Sequence, residues 1–202
     1  MRIYNSSTAP NPRRVRIFLA EKDIAVPYEE VDIGKAVNRG PDFRKKNPLA
    51  AVPVLELDDG TCISESVAIC RYFEELRPNP ALFGVGAKDR AIVDMWNRRM
   101  EFVLLQPIAD AFRQRHEFFK DRIRQVPEYA EAQRLNAEDG LKWLNEELAT
   151  RPFIAGDTFS IADITAMVAI DFGRVSKIAI SPEQEHLSRW HAEVSSRPSA
   201  KA

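Results

Sequence analysis

Two short segments carry the side chains and main-chain groups most able to do chemistry. Residues Asn47–Leu55 read Asn-Pro-Leu-Ala-Ala-Val-Pro-Val-Leu, and ten positions beyond Leu55 stands Glu65-Ser66. Pro53 follows Val52 where a β-branched strand begins, and a proline there donates no ladder hydrogen bond, so it belongs at a strand start or bend. A cis peptide bond at Pro53 would turn the main chain of Val52 outward and offer its N–H and C=O to a peptide-like ligand. Ser66 opens an amphipathic run, and a hydroxyl beside the free N–H groups of a helix start is a ready seat for a carboxylate. Glu65 beside it can pair with an ammonium. A carboxylate and an ammonium on one carbon are the α-amino-acid end of a ligand.

Positioning those groups takes an alternation of strands and helices. Arg2–Asn5 reads as a short strand, Asn11–Lys22 as a helix with Val15, Phe18 and Leu19 on one face, and Val26–Ile33 as a second strand. Pro41–Lys46 is a short helix or turn. Val54–Leu57 and Thr61–Ile63 flank Asp58-Asp59-Gly60, a hairpin turn, and Ser64–Leu76 is helical through Val67, Ile69, Cys70 and Phe73. The order βαβαββα is that of a thioredoxin-like sheet domain over residues 1–77.

Residues 78–88, rich in proline and glycine, read as a linker, and residues 89–202 as an all-helical domain. Ile92, Met95, Trp96, Met100 and Val103 mark a helix expected to run on to Phe119 with a kink at Pro107. Ala137, Leu141, Leu144 and Leu148 mark another, and Leu187, Trp190 and Val194 a short last one. Ile161–Val175 is apolar on most sides, as a buried central helix should be. Ser160 with Asp163 three residues on is a capping-box pattern at its start.

Charge narrows the partners. The chain has 29 basic and 30 acidic side chains, a net charge of −1, with no basic half, which argues against nucleic acid or an anionic membrane as partner. The two cysteines, Cys62 and Cys70, have no metal-like Cys/His cluster around them and read as core thiols, so no metal is expected. The start lacks the apolar stretch of a signal peptide, and nothing approaches a membrane span of about 20 apolar residues. The expected setting is cytoplasmic.

The chain resembles the soluble glutathione transferase family, and is similar to its atypical yeast-type branch and bacterial relatives. The resemblance rests on Asn47–Leu55, on Glu65-Ser66 and on Phe159-Ser160-Ile161-Ala162-Asp163, three motifs in the family's order and spacing. It implies conjugation of the glutathione thiolate to hydrophobic electrophiles, with glutathione as co-substrate and a homodimer as the assembly. Alternatives on the same site are glutathione-dependent reduction, isomerisation or dehalogenation, and a non-catalytic ligand-binding module.

By the same resemblance, Val52 and Pro53 face the cysteinyl unit, Glu65 and Ser66 hold the γ-glutamyl end, and Asn38, with Lys35 and Arg39 close in sequence, lies where the glycyl carboxylate is held. The position of the usual catalytic hydroxyl falls on Ala9, whose methyl donates nothing. Thr8, Ser7 and Asn11 are the nearby donors, each equally readable as a loop or cap residue. Atypical members rely instead on the helix terminus and a water held by the helical domain, for which His116 is the candidate; a solvated surface histidine is the plainer reading. Phe102, Leu105, Phe112, Phe118 and Phe119 give the helical domain an apolar, aromatic face for the electrophile.

Overall fold

A computed structural model of the protein describes every residue from Met1 to Ala202. The chain divides into two compact units, Met1–Ala81 with Lys201–Ala202, and Leu82–Ala200.

The first unit runs β1 (Arg2–Asn5), α1 (Pro10–Glu21), β2 (Tyr28–Glu30), α2 (Pro41–Lys46), β3 (Val54–Glu56), β4 (Cys62–Ser64) and α3 (Ser66–Leu76). Sheet order is β2-β1-β3-β4, with β2 parallel to β1 and the other pairs antiparallel. This is the expected βαβαββα order. Helix α1 buries Val15, Ile17, Phe18 and Leu19, and α3 buries Ile69, Cys70 and Phe73. In the hairpin, Gly60 takes φ +86°, a conformation that costs glycine little, while Asp59 accepts the Thr61 N–H at 2.9 Å.

Strand β2 is shorter than the Val26–Ile33 its sequence suggests. Its only neighbour is β1, whose paired residues are Ile3–Asn5; bonds from Ile3 N to Pro27 O and from Val31 N to Asn5 O close the ladder at either end. Beyond Val31 the chain turns.

Charged side chains lie inside this unit, Lys22 among them. Lys22, at the carboxyl end of α1, pairs with Glu74 of α3 at 2.6 Å, and its Nζ also donates to Arg77 O at 2.8 Å and Pro80 O at 2.7 Å. A buried ammonium needs such a set of acceptors to offset its lost hydration.

The second unit contains α4 (Gly86–Arg99), α5 (Gln106–Arg113), α6 (Pro127–Glu147), α7 (Ile161–Gly173) and α8 (Glu185–Ser195). No strand pair forms in it beyond an isolated bridge between Phe153 and Gly156. Between α4 and α5 the chain stays helical but widens into a π-helix over Met100–Leu105. Pro107 has no N–H, so Val103 C=O lacks its usual α-helical partner four residues on, and the wide turn closes just before the proline with Gln106 N–H bonded to Glu101 O. Gly140 of α6 lies against the same carbonyl: a Cβ there would come within 2.7 Å of Val103 O.

The expected run to Phe119 ends early, at Arg113. Gln125 donates to the carbonyls of Arg113 at 2.8 Å and His116 at 2.9 Å, and the chain re-forms as a separate 3-10 turn over Glu117–Phe119. Helix α7 has the capping box its sequence calls for, Ser160 accepting from Ala162 N and Asp163 from Ser160 N. No helix is long and apolar enough to cross a membrane.

Candidate functional site

Strand register gathers the candidate groups of the first unit at one end of its sheet. Tyr4 of β1 is opposite Val54 of β3, and Val54 is opposite Ser64 of β4. The loop leaving β1, the Val52-Pro53 segment entering β3 and the Glu65-Ser66 segment leaving β4 therefore emerge at the same edge. Asn5 pairs with Glu30, so β2 ends there too.

The Val52-Pro53 peptide bond is cis. No internal hydrogen bond engages the main-chain N–H or C=O of Val52, which leaves an extended pair of groups open to a peptide. Glu65 takes φ +67°, a left-handed conformation unusual for a residue with a Cβ. Its side chain is exposed, while Ser66 is buried as the first residue of α3. The first internal bond of this helix is Ile69 N to Glu65 O, so the N–H groups of Ser66, Val67 and Ala68 remain available at the positive end of the helix dipole.

The other donors are arranged differently. Thr8 is exposed, and Asn11 lies in the first turn of α1. Ala9 is the N-cap of that helix and supplies no side-chain cap. Pro10 and Pro12 have no N–H and Arg13 N is bonded to Ala9 O, so Asn11 contributes the one open main-chain donor of the turn. Asn38 spends an amide donor on Ala50 O at 2.6 Å, where Ala50 has φ +55°. That bond shapes the loop before Val52 and uses one of the two amide N–H donors of Asn38. Lys35 pairs with Asp32 at 3.4 Å.

His116 belongs to the helical unit. Its Nδ1 accepts from Phe118 N–H at 3.1 Å, so in the neutral ring the proton is on Nε2, which stays free to donate. His116 lines a hollow of about 310 Å³ with Phe112, Arg115, Ala111, Ala130 and Lys177. Phe112 is the hub of an aromatic cluster, with ring centroids 4.6 Å from His116, 5.5 Å from Phe119 and 5.3 Å from Phe172. Phe102, by contrast, is exposed and stacked under Arg98, and Leu105 is buried in the core.

Three residues around this edge escaped sequence reasoning. Arg14, only 1% exposed, donates from Nη1 to Ser66 Oγ at 2.9 Å. Arg16 and Glu30 bind the loop after β1 from either side. The signal for Arg14 was a cation four residues before Phe18, inside the apolar stripe of α1; for the other two no local signal exists.

The matches to known families agree with this arrangement. Residues 8–76 match the family model for the glutathione S-transferase N-terminal domain, and residues 96–198 the model for its C-terminal domain. The chain belongs to the glutathione S-transferase family. Glutathione S-transferase 2 of Saccharomyces cerevisiae is 36% identical over 205 residues, spanning all of this chain and 88% of that protein. A glutathione S-transferase domain-containing protein from Marinobacter aquaeolei VT8 superposes with a TM-score of 0.95 at 41% identity, covering 98% of this chain and 99% of that one. The crystal structure of Gtt2 from Saccharomyces cerevisiae gives a TM-score of 0.95 at 36% identity, covering 100% and 99%.

Proposed function

We propose that this glutathione S-transferase family member binds glutathione at the sheet edge of its first unit and conjugates the thiolate to hydrophobic electrophiles. One observation carries the reading. An unpaired Val52 main chain, a helix start with three open N–H groups at Ser66, and an exposed Glu65 carboxylate meet at one edge. These are the complements of a peptide unit, an α-carboxylate and an α-ammonium. Glutathione has all three in its γ-glutamylcysteinyl half.

The sulfur would lie towards the loop after β1. Thr8 and Asn11 supply hydroxyl and amide donors there, and a thiolate is the nucleophile these must stabilise. Holding both reactants at once supplies proximity, and fixed donors supply electrostatic stabilisation. On the helical unit, the Phe112 cluster gives an apolar wall for an aromatic electrophile, and Nε2–H of His116 a donor to a water or a polar substituent. Asn38 shapes the loop through its bond to Ala50 O and keeps a second amide N–H for the glycyl end. The assembly proposed is a homodimer, and two unpaired cysteines fit a reducing, cytoplasmic setting.

The test is an ultraviolet titration of the thiol of bound glutathione. A thiol ionising clearly below free glutathione, together with turnover of an aryl halide, supports the reading. Tight binding with an unshifted thiol and no turnover would favour a carrier, the reading that Ala9 at the hydroxyl position invites.

A further inference from the structure

Two charged side chains hold the loop joining β1 to α1. Glu30, the last residue of β2, accepts the main-chain N–H of Ser7 on Oε1 at 2.7 Å and Asn5 Nδ2 on Oε2 at 2.6 Å. Arg16 of α1 donates from Nη1 to Asn5 Oδ1 at 2.7 Å and to Ser6 O at 3.4 Å, and from Nη2 to Ser7 O at 3.2 Å. The Asn5 amide is thus fixed in one orientation, its oxygen on a guanidinium and its nitrogen on a carboxylate. Asn5 and Ser6 are buried, whereas Ser7 and Thr8 are exposed. The clamp grips the root of the loop and leaves its tip open.

Nothing local does this job. Ala9 offers no cap to the helix it begins, and a helix entry is ordinarily fixed by its N-cap side chain. Ala9 N is bonded to Ser6 O at 3.2 Å, so the turn into α1 is itself hung on a residue that Arg16 holds. The path of Thr8 and Asn11 follows from where Ser6 and Ser7 are pinned.

We propose that Glu30 and Arg16, acting through Asn5, are positioning residues that hold the Ser6–Thr8 loop in the geometry that activates the sulfur of bound glutathione. This rests on the glutathione reading above. Neither side chain is assigned a contact with the ligand. The groups assigned to the γ-glutamyl end and to the peptide unit, at Ser66 and Val52, lie on other segments. Releasing the clamp should therefore weaken activation more than binding.

The experiment compares the full-length protein with Glu30→Ala, Arg16→Ala and the milder Glu30→Gln, which retains one oxygen for the Ser7 N–H. Three quantities are read on each: the ultraviolet titration of the bound thiol, the split of kcat and KM for glutathione, and thermal melting. The alanine variants are expected to fold, to titrate nearer the free thiol, and to lose about three- to ten-fold in thiolate at neutral pH and in kcat. Their KM for glutathione should move less than about two-fold, and Glu30→Gln should fall in between. An unchanged bound thiol and kcat in folded variants would overturn the proposal. So would a loss confined to KM, since that would make the clamp part of glutathione binding. If an alanine variant does not fold, Glu30→Gln decides by the same two readouts. Failure of the wild-type protein to bind glutathione would instead remove the reading beneath the proposal, and is seen before any variant is made.

Discussion

The guanidinium of Arg14 donates to Ser66 Oγ at 2.9 Å, and both residues are buried. With a lone pair of Ser66 taken by an obligate donor, the hydroxyl proton is directed away from Arg14. Ser66 is thereby prepared as a donor, the polarity a ligand carboxylate requires. Helix α1 thus orients a group at the start of α3.

Replacing Ser66 by alanine should reduce glutathione affinity about five- to fifty-fold, as expected on losing a hydrogen bond to a charged group. Isothermal titration calorimetry reads this directly. Thermal stability should drop as well, because Arg14 loses a buried acceptor. Affinity equal to wild type would remove Ser66 from the site.

Asp163 is a structural acceptor. Its Oδ1 receives Ile154 N–H and the Trp190 indole N–H, both at 2.9 Å, while Oδ2 receives Ser160 N–H at 2.9 Å and Ser160 Oγ–H at 3.1 Å. It ties α7 to α8 and to the segment before α7. Asp163→Ala leaves these donors unmatched and should cost about 3 kcal/mol or more. Urea unfolding would show this as a lower midpoint, and any activity left should belong to the folded fraction.

Gly140→Ala should destabilise the helical unit by about 1–3 kcal/mol, because the new methyl meets a main-chain oxygen of the π segment, which cannot swing aside. Gly140→Ser should do no better. Chemical denaturation of the two variants checks this, and a fully stable Gly140→Ala would show that the π segment yields.

Burial pushes the Cys70 thiol up to about 12 from an ordinary value of 9.0. A thiol whose folded value is raised stabilises the fold below its unfolded value, and that contribution is lost as pH climbs from about 9 towards about 12. Native protein at neutral pH should leave Cys70 unalkylated by iodoacetamide, and denaturant should expose it. Mass mapping of the alkylated cysteine distinguishes Cys70 from the half-buried Cys62.

The Glu30 carboxyl behaves in the opposite sense. The Ser7 N–H it accepts holds it below the ordinary glutamate value of 4.5. A depressed carboxyl stabilises the loop above its unfolded value and releases it as pH falls through its folded one. The Ser7 amide resonance should stay put at neutral pH and shift with a midpoint below 4.5. A midpoint at or above that value would mean the bond does not persist in solution.

What could be read from the sequence was what adjacent residues encode. Val52-Pro53 and Glu65-Ser66 are neighbours in the chain, and Ser160 and Asp163 are one helical turn apart, so proline chemistry and helix-start logic reached them. The bonds that set the site's geometry join distant positions: Arg14 to Ser66 is a separation of 52 residues, and Asn5 to Glu30 one of 25. No periodicity reports on those. Asn38 also has a role no local pattern reports, the bond from its amide to Ala50 O twelve residues on. The π-helix was missed for a related reason. Pro107 announced a disturbance, but whether the helix kinks or widens depends on what packs beside it, here Gly140.

Lys22 bears on how the first unit could be studied alone. Its ammonium is satisfied in part by the carbonyls of Arg77 and Pro80, residues that look like connecting chain. A fragment cut after the last turn of α3 would strand an interior cation on Glu74, missing two of its acceptors. The natural end of that fragment is Ala81: what reads as tether is, for this lysine, part of the solvent.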